Sequence, residues 1–340
     1  MNKLCLLATY CFVISCSTSQ VSEKRDYTKA DVSKYMKTIS EADLKKHLYI
    51  VASDEMEGRN TGEAGQKKAG KYLIDQYKSN GISFPKGAKD FYQHVPAEFM
   101  AKAFSPKLGD SENIWAFIEG SEKPDEILVI SAHYDHVGMK NGEVYNGADD
   151  DGSGTVALLE IAQAFMQAKK DGYGPKRSIL FLHVTGEEHG LHGSRYYSEN
   201  PLFPIANTIA DLNIDMIGRR DDMHKNDGNY VYVIGSDRLS TDLHNINEEA
   251  NKKYTKLALD YTFNDENDPN QFYYRSDHYN FAKKGIPIIF YFNGVHEDYH
   301  KPGDTPDKIE YDLLAKRAQL AFVTAWELAN RENRPVVDKK

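Results

Sequence analysis

Acidic and histidine side chains collect in three short segments of the sequence that could together bind metal ions. The segments are Ser131–His136, Asn146–Gly154 and Thr185–Gly190, which read SAHYDH, NGADDDGSG and TGEEHG. Apolar runs precede the first and third segments, and a helical pattern follows the second. Because such runs indicate buried strands, we expect the histidines and acids to gather at strand ends. Imidazole and carboxylate groups gathered in this way are typical of a metal site.

His133 and Asp135 stand two residues apart at the end of the first apolar run. If strand geometry continues, both side chains point to one side of the sheet. Asp135 would then be placed to hold the second ring nitrogen of a metal-binding His133. The alternative is a strand-end histidine that hydrogen-bonds within a turn. His136 is expected to take no part in either arrangement.

Three adjacent acids, Asp149, Asp150 and Asp151, lie in a glycine-flanked loop that leads into a helix. Acids at the start of a helix often do no more than interact favourably with the helix dipole. Here the flanking glycines let the backbone bend tightly, so that one acid can turn inward. A carboxylate has two oxygens, and an inward acid could therefore bridge two metal ions.

Two adjacent carboxylates, Glu187 and Glu188, follow the apolar run that ends at Val184. They repel each other unless positive charge is near, so an inward pair indicates a metal, whereas a surface pair is common. One glutamate could bind the metal while the other accepts a proton from metal-bound water. Asp215 lies in another strand-like run, where a metal or an ion pair with Arg219 would offset the cost of its burial.

The segment His296–His300 fits the pattern H-E-x-x-H of helical zinc proteases. That motif requires both histidines on one face of a helix, one turn apart. Gly294 precedes the segment, and Pro302 and Gly303 follow it, so we expect no helix here and reject that interpretation. His300 is still a candidate metal ligand on a loop.

The chain has 340 residues and a formal net charge of -9, with acids and bases evenly mixed. This length allows one large domain or two small ones, and the sequence has no basic stripe that would bind nucleic acid. Strand patterns occur at 113–119, 126–132, 178–184, 213–217, 229–234 and 286–292, and helical patterns, including one at 155–169, lie between most of them. The alternation predicts an α/β fold with helices on both faces of a sheet.

Residues 1–15 predict an export signal, because Met1–Lys3 is charged and Leu4–Ile14 is apolar but too short to span a bilayer. Val13–Cys16 resembles a bacterial lipobox, where cleavage leaves a lipid-bearing Cys16. The alternative is an ordinary secretory signal that is cleaved slightly later. We expect residues 16–30 to be the lipidated cysteine and a flexible tether. The protein would then be exported and held in the bacterial cell envelope, in the periplasm or at the outer membrane, with the lipid as its sole membrane contact.

Together these segments resemble the di-zinc aminopeptidases of metallopeptidase family 28, the family of the secreted bacterial leucyl-type aminopeptidases. The matching segments follow the family's order and are Ser53–Arg59, Ala132–His136, Asn146–Gly154, Gly186–Ser194, Asn213–Arg219, Ser276–His278 and Tyr299–Thr305. The resemblance implies an α/β fold with a mixed, mainly parallel central sheet flanked by helices. It also implies a single zinc-peptidase domain over residues 31–335. The short connection at 91–111 leaves no room for the protease-associated domain that some members carry.

Carried over to this chain, the resemblance implies two zinc ions. One ion would be bound by His133 and Asp215, the other by Glu188 and His300, and Asp150 would bridge both. The family's other functional positions fall on Glu187 as general base, Asp135 as the residue that orients His133, Tyr299 as a donor to the oxyanion, and Arg275 and Asp277 as substrate-pocket residues.

The implied function is a zinc-dependent exopeptidase, an aminopeptidase that removes N-terminal residues from peptides with metal-activated water. A carboxypeptidase or a glutaminyl cyclase could use the same scaffold, but the full ligand set with its adjacent glutamate favours hydrolysis by two metals. An inactive lipid-anchored binding protein would be expected to lack Glu187 or a ligand, and none is missing. Residues 264–270 are acid-rich and could bind calcium, although a solvated loop is the simpler interpretation.

Overall fold

The computed structural model of the protein describes residues 29–101 and 107–339. The predicted export signal, the predicted lipid attachment site Cys16 and nearly all of the predicted tether lie outside these residues. Within them, no helix combines the length and the apolar composition that crossing a membrane requires.

The described residues form helices and strands that alternate along much of the chain. The helices are α1 (Val32–Met36), α2 (Glu41–Val51), α3 (Ala64–Ser79), α4 (Ala97–Ala101), α5 (Gly154–Lys170), α6 (His192–Glu199), α7 (Thr241–Ala250), α8 (His278–Ala282) and α9 (Tyr311–Asn330). The strands are β1 (Tyr92–Val95), β2 (Ser111–Ile118), β3 (Lys123–His133), β4 (Met139–Lys140), β5 (Glu143–Val144), β6 (Arg177–Val184), β7 (Thr208–Ile214), β8 (Tyr230–Ile234), β9 (Ala258–Asp260) and β10 (Ile288–Phe292).

Eight of the described strands form one sheet in the order β1-β2-β6-β3-β7-β10-β8-β9. The pairs β6/β3, β3/β7, β7/β10 and β8/β9 are parallel. The pairs β1/β2, β2/β6 and β10/β8 are antiparallel. The predicted α/β fold with a mixed, mainly parallel sheet is therefore confirmed.

The centre of the sheet is apolar on both faces because helices cover both. Along β3, Leu128 and Ile130 pack into a large core with α5 and α9, while Ile127 and Val129 pack into a second core with residues of α6 and α8. Every residue of β6 is buried. Successive side chains of a strand point to opposite faces, so a strand covered on both sides needs the continuous apolar run that the sequence has.

Four neighbouring strands in the middle of the sheet, β6, β3, β7 and β10, are parallel and end at the same edge. In register, His133 at the end of β3 lies beside Val184 at the end of β6, and Tyr291 of β10 lies beside Ile214 of β7. The predicted site segments follow these four strand ends. Ligand sites of open parallel sheets lie at this edge.

The predicted strand at 213–217 is wrong in its bounds, because β7 covers Thr208–Ile214. Beyond β7 the backbone turns, with a positive φ of 58° at Met216. Residues 146–154, which include Asp149, Asp150 and Asp151, are called the acid loop below. Side chains of this loop accept hydrogen bonds from the backbone N–H groups that would have continued the strand. Asp151 Oδ1 accepts from Met216, Ser153 Oγ accepts from Ile217 at 3.0 Å, and Asp149 Oδ1 accepts from the next residue at 2.7 Å.

Candidate metal centre

His133 is the last residue of β3, and its ring is buried at the edge of the sheet where the four strands end. Its Nδ1 lies 3.1 Å from the backbone carbonyl oxygen of Asp135 and 3.8 Å from the carboxylate. The contact that orients His133 therefore comes from the Asp135 backbone, because strand geometry ends before Asp135. The Asp135 carboxylate accepts hydrogen bonds from Thr61 Oγ1 at 2.8 Å and from the Glu187 N–H at 3.2 Å.

The two carboxylate oxygens of Asp150 face different histidines. Oδ1 lies 3.2 Å from His133 Nε2, and Oδ2 lies 2.9 Å from His300 Nε2. Asp215 Oδ1 is 3.7 Å from the same nitrogen of His133, and Glu188 Oε2 is 2.9 Å from the same nitrogen of His300. The structure thus brings the predicted ligands together as two groups that share one aspartate.

His136 lies inside this cluster, so the expectation that it takes no part is wrong. Its ring is completely buried, and its Nδ1 lies 2.7 Å from Glu188 Oε1 and 3.8 Å from Asp150 Oδ2. A backbone hydrogen bond from the His136 N–H to the Arg59 carbonyl fixes it there at 3.1 Å. No local sequence pattern predicts the contact between His136 and Arg59, because these residues are far apart in the chain.

Several buried polar atoms of the cluster make no well-aligned hydrogen bond within the described part of the chain, although some of them lie within ion-pair distance of another group of the cluster. They are His133 Nε2, both ring nitrogens of His136, Asp150 Oδ2, Asp151 Oδ2 and Glu188 Oε1. Buried polar groups without partners are costly and rare. Two sets of side chains could each hold a metal ion, because within each set the ligand atoms lie within 4.8 Å of one another. The first set is His133, Asp151 and Asp215, and the second is His136, Asp150 and Glu188. Nitrogen and carboxylate donors at this spacing fit metal ions such as zinc.

The acid loop owes its shape to a glycine and to a carboxylate from a later loop. Gly147 has a positive φ of 55°, and a Cβ there would lie 2.4 Å from the Asp150 carbonyl oxygen and 2.5 Å from the His136 ring. The Asp304 carboxylate accepts the backbone N–H groups of Asp149 at 3.0 Å and Asp150 at 3.1 Å. Only a glycine therefore fits at the entrance of the loop, and Asp304 holds its backbone.

The H-E-x-x-H segment contains no helix, as predicted, and residues 297–300 form a turn. Its two histidines serve different purposes. His300 reaches the cluster, whereas the buried His296 places its Nε2 3.2 Å from Asp149 Oδ2. The alternative ion pair between Asp215 and Arg219 does not form, because Arg219 lies 3.1 Å from Asp298.

The adjacent carboxylates Glu187 and Glu188 have opposite pKa shifts. Burial raises the pKa of Glu187 well above its usual value; His133 opposes this, while Asp215 adds to it. Burial also raises the pKa of Glu188, but the nearby histidines more than compensate and lower it to about 2. Glu188 therefore favours the charged, ligating form, and Glu187 favours binding a proton. Such divergent pairs are typical of acid–base chemistry.

A cavity opens beside the cluster, with Asp150, Glu187 and Asp215 at one end. The remaining wall residues are Met216, Phe272, Arg275, Phe290, Phe292, Val295 and Tyr299. The Tyr299 ring stacks on the His300 ring with their centroids 3.9 Å apart. The cavity thus joins a polar end at the cluster to a largely apolar wall.

The two residues predicted to shape the substrate pocket lie in different places. Arg275 lines the cavity, with its guanidinium 4.8 Å from the centre of the Phe272 ring. Asp277 does not line the cavity, because its side chain is completely buried and accepts a hydrogen bond from Ser194 Oγ. Burial raises the pKa of Asp277 to about 7.

The acid-rich segment 264–270 forms no group of metal ligands within the described residues. Asp265 accepts from the backbone N–H of Asn267 at 2.7 Å, and Asp268 accepts from that of Asn270 at 3.0 Å. These carboxylates are used in local turns, which is consistent with the simpler interpretation of a solvated loop.

The fold and the cluster define an α/β protein with a candidate metal centre at the carboxyl ends of its parallel strands. Comparison with known sequences is more specific, since residues 113–325, more than half of the chain, match Peptidase family M28. The chain belongs to this family.

A probable leucine aminopeptidase of Trichophyton verrucosum is 33% identical to this chain over 225 residues, which cover 64% of this chain and 57% of the relative. The chain thus matches little more than half the length of this curated relative.

Solved structures share the fold. LapA aminopeptidase of Legionella pneumophila has a TM-score of 0.68 at 21% identity, covering 97% of this chain and 81% of its own. The zinc aminopeptidase BSAP of Bacillus subtilis has a TM-score of 0.65 at 16% identity, and the match covers 86% of this chain and 96% of BSAP. Glutaminyl cyclase of Porphyromonas gingivalis has a TM-score of 0.63 at 19% identity, and the match covers 84% of this chain and 97% of the cyclase. At these identities the likeness concerns the fold alone.

Proposed function

We propose that this chain is a two-zinc aminopeptidase that removes N-terminal residues from peptides. The observation that carries the proposal is the arrangement of Asp150, whose two oxygens face His133 and His300 at 3.2 and 2.9 Å. Membership of a peptidase family supports peptides as substrates. The aminopeptidase names of a curated relative and of structural neighbours, one of them a zinc enzyme, support the reaction and the metal.

In this proposal His133 and Asp215 would hold one zinc ion, Glu188 and His300 would hold a second, and Asp150 would contribute to both. When bound, the zinc ions would act as Lewis acids that activate the attacking water and polarise the scissile carbonyl. His136 contacts Glu188 at 2.7 Å and so fixes the direction of that carboxylate.

Glu187 is the proposed general base, because it lies at the cavity end of the cluster and its raised pKa favours accepting a proton. It takes the proton of the attacking water and later delivers it to the leaving amine. Tyr299 is the proposed oxyanion donor. Burial raises the pKa of its hydroxyl above the usual value, so the hydroxyl keeps its proton and can donate it in a hydrogen bond.

The cavity suits an apolar first side chain. Carboxylates of Asp150, Glu187 and Asp215 stand at its polar end, beside the proposed zinc ions. The apolar wall residues, among them Phe272 and Phe292, suit a side chain such as leucine.

The proposal is tested by assaying the purified protein on short peptides with free or acetylated amino termini. The peptides differ in the first residue (leucine, phenylalanine, alanine or glutamate), and each is assayed with chelator and after zinc is restored. We expect cleavage only of free termini, with leucine and phenylalanine preferred and full dependence on zinc. A protein that holds two zinc ions and releases no N-terminal residue would contradict the proposal. Cyclisation of glutaminyl peptides or release of C-terminal residues would then identify the alternatives.

We also propose that the protein is exported and anchored in the cell envelope by a lipid on Cys16. The support is the charged start, the apolar run and the lipobox-like Val13–Cys16. Expression in a bacterium, followed by membrane fractionation and mass spectrometry of the mature N-terminus, tests this. We expect Cys16→Ser to abolish lipid attachment. An unmodified, fully soluble wild-type protein would contradict it.

A further inference from the structure

Arg59 is a completely buried arginine with no part in the proposed reaction. It ends the short helical turn Asp54–Arg59, which lies ahead of residues 113–325, the span that the family model covers. A buried guanidinium stays charged and needs several acceptors to offset its lost hydration. The contacts of this side chain therefore indicate what the chain gains from burying it.

The hydrogen bonds of the Arg59 side chain all end on backbone carbonyl oxygens. Nε donates to Tyr134 at 2.9 Å, Nη1 donates to Asn146 at 2.7 Å and to Val51 at 3.0 Å, and Nη2 donates to Gly147 at 2.8 Å. Tyr134 directly follows the proposed ligand His133, and the Asn146–Gly147 pair begins the acid loop. The guanidinium of Arg59 thus links the loop after β3 to the acid loop, and it links both loops to the end of α2.

The backbone of Arg59 reinforces this connection. Its carbonyl oxygen accepts the His136 N–H at 3.1 Å, and the next residue, Asn60, forms an isolated parallel bridge with His136. Gly58 accepts the N–H of Gly138 at 2.9 Å in the same way. The segment around Arg59 therefore holds the loop after β3 through both backbone and side chain.

The charge of Arg59 also suits its position. Burial lowers its pKa, while Asp150, Asp151, Asp304 and Asp135 oppose that shift through their negative charges. These acids belong to or surround the cluster, where like charges repel one another until metal arrives. A fixed cation behind the acids reduces that repulsion without occupying a ligand position.

We propose that Arg59 is a positioning residue that holds the two ligand loops in their metal-binding arrangement before any metal binds. The inference rests on the proposed zinc site, and it concerns how tightly this chain binds zinc. Residues that orient metal ligands typically change metal affinity by about 10- to 100-fold when they are replaced. We expect a loss of that size for Arg59→Met, with Arg59→Lys intermediate because it keeps the charge and loses the planar fork.

Arg177 provides a matched control, since it is also completely buried and donates to the carbonyl oxygens of Leu328 at 3.0 Å and Glu332 at 2.9 Å. It lies at the start of β6, at the opposite end of that strand from the cluster. Zinc affinity is measured by competition with a chromogenic chelator, and stability by thermal unfolding of the metal-free proteins. We expect Arg177→Met to lower stability and leave zinc affinity unchanged.

The possible results separate this inference from the proposed function. If wild-type protein binds no zinc, the proposed function fails. If wild-type binds two ions and Arg59→Met binds them equally well, Arg59 has a purely structural role and the inference is overturned.

A measurement on metal-free wild-type protein decides the matter even if the variants do not fold. Amide hydrogen exchange of residues 133–138 and 146–153 is compared with and without zinc. We expect protection of both loops in the absence of zinc. Loops that become protected only when zinc is added would overturn the inference.

Discussion

Replacing Glu187 by glutamine separates catalysis from metal binding. Glutamine keeps the size of the side chain and cannot accept the proton of the attacking water. Because Glu187 is not one of the proposed ligands, the Glu187→Gln protein should still bind two zinc ions. We therefore expect a large fall in kcat, a small change in KM and no change in zinc content.

The size of the expected loss follows from the surroundings of Glu187. General base catalysis contributes about 10²- to 10⁴-fold. The side chain is only 12% exposed, so bulk water has little access to replace it. Its neighbour Glu188 is held by His136 at 2.7 Å and by His300 at 2.9 Å, so it cannot take over. We expect the upper part of the range, about 10³- to 10⁴-fold in kcat, which corresponds to about 4 to 5 kcal/mol.

The assay measures kcat and KM on a leucyl peptide, and zinc per chain by mass spectrometry. Glu188→Gln is the matched control, since the same substitution one residue later should lower zinc content as well as turnover. Glu187→Gln protein that holds two zinc ions and keeps kcat within tenfold of wild type would refute the assignment of the base.

Three further predictions concern the bridging ligand, the cavity and the core. Asp150→Ala should release both zinc ions, and a variant that retains two ions per chain would exclude bridging. Phe272→Ala should lower kcat/KM for leucyl peptides by about 10-fold or more through lost apolar contact, and equal losses for alanyl peptides would argue against a side-chain pocket at Phe272. Burial of His183 in β6 lowers its pKa from 6.5 to about 3. Between these pH values the unfolded chain therefore binds more protons than the folded chain. The stability that is present above pH 6.5 is lost as the pH falls below it. The loss at pH 5.5 should be about 1.4 kcal/mol in urea unfolding of metal-free protein and should be smaller in His183→Gln; an unchanged pH dependence in that variant would contradict this.

The central part of the fold was predictable from the sequence because buried parallel strands and long helices have strong local patterns. The pattern at 126–132 lies within β3, and the pattern at 155–169 lies within α5 (Gly154–Lys170). The short outer strands β1 and β9 were not predicted, since four and three residues carry little periodicity. The end of β7 was misplaced because Met216 and Ile217 continue the apolar run into a buried turn.

The candidate site was predictable where its residues occur in compact segments. The resemblance of these segments to the family singles out His133, Asp150, Glu188, Asp215 and His300, and the structure brings these residues together. The place of His136 in the cluster and the contacts of Arg59 behind it were missed, because both depend on contacts between segments far apart in the chain. Such tertiary contacts leave no periodic signal in the sequence around either residue.

The proposed ligands come from strand ends that are far apart along the chain, from His133 after β3 to His300 after β10. Such long-range contacts are costly to form early in folding, so the ligands converge only once the central sheet is nearly complete. Bound zinc would then stabilise the native state more than the folding transition state. It would accordingly slow unfolding and leave the folding rate nearly unchanged. If the protein is exported as proposed, the zinc ions would lengthen the lifetime of each folded molecule against proteolysis, in addition to their part in the reaction.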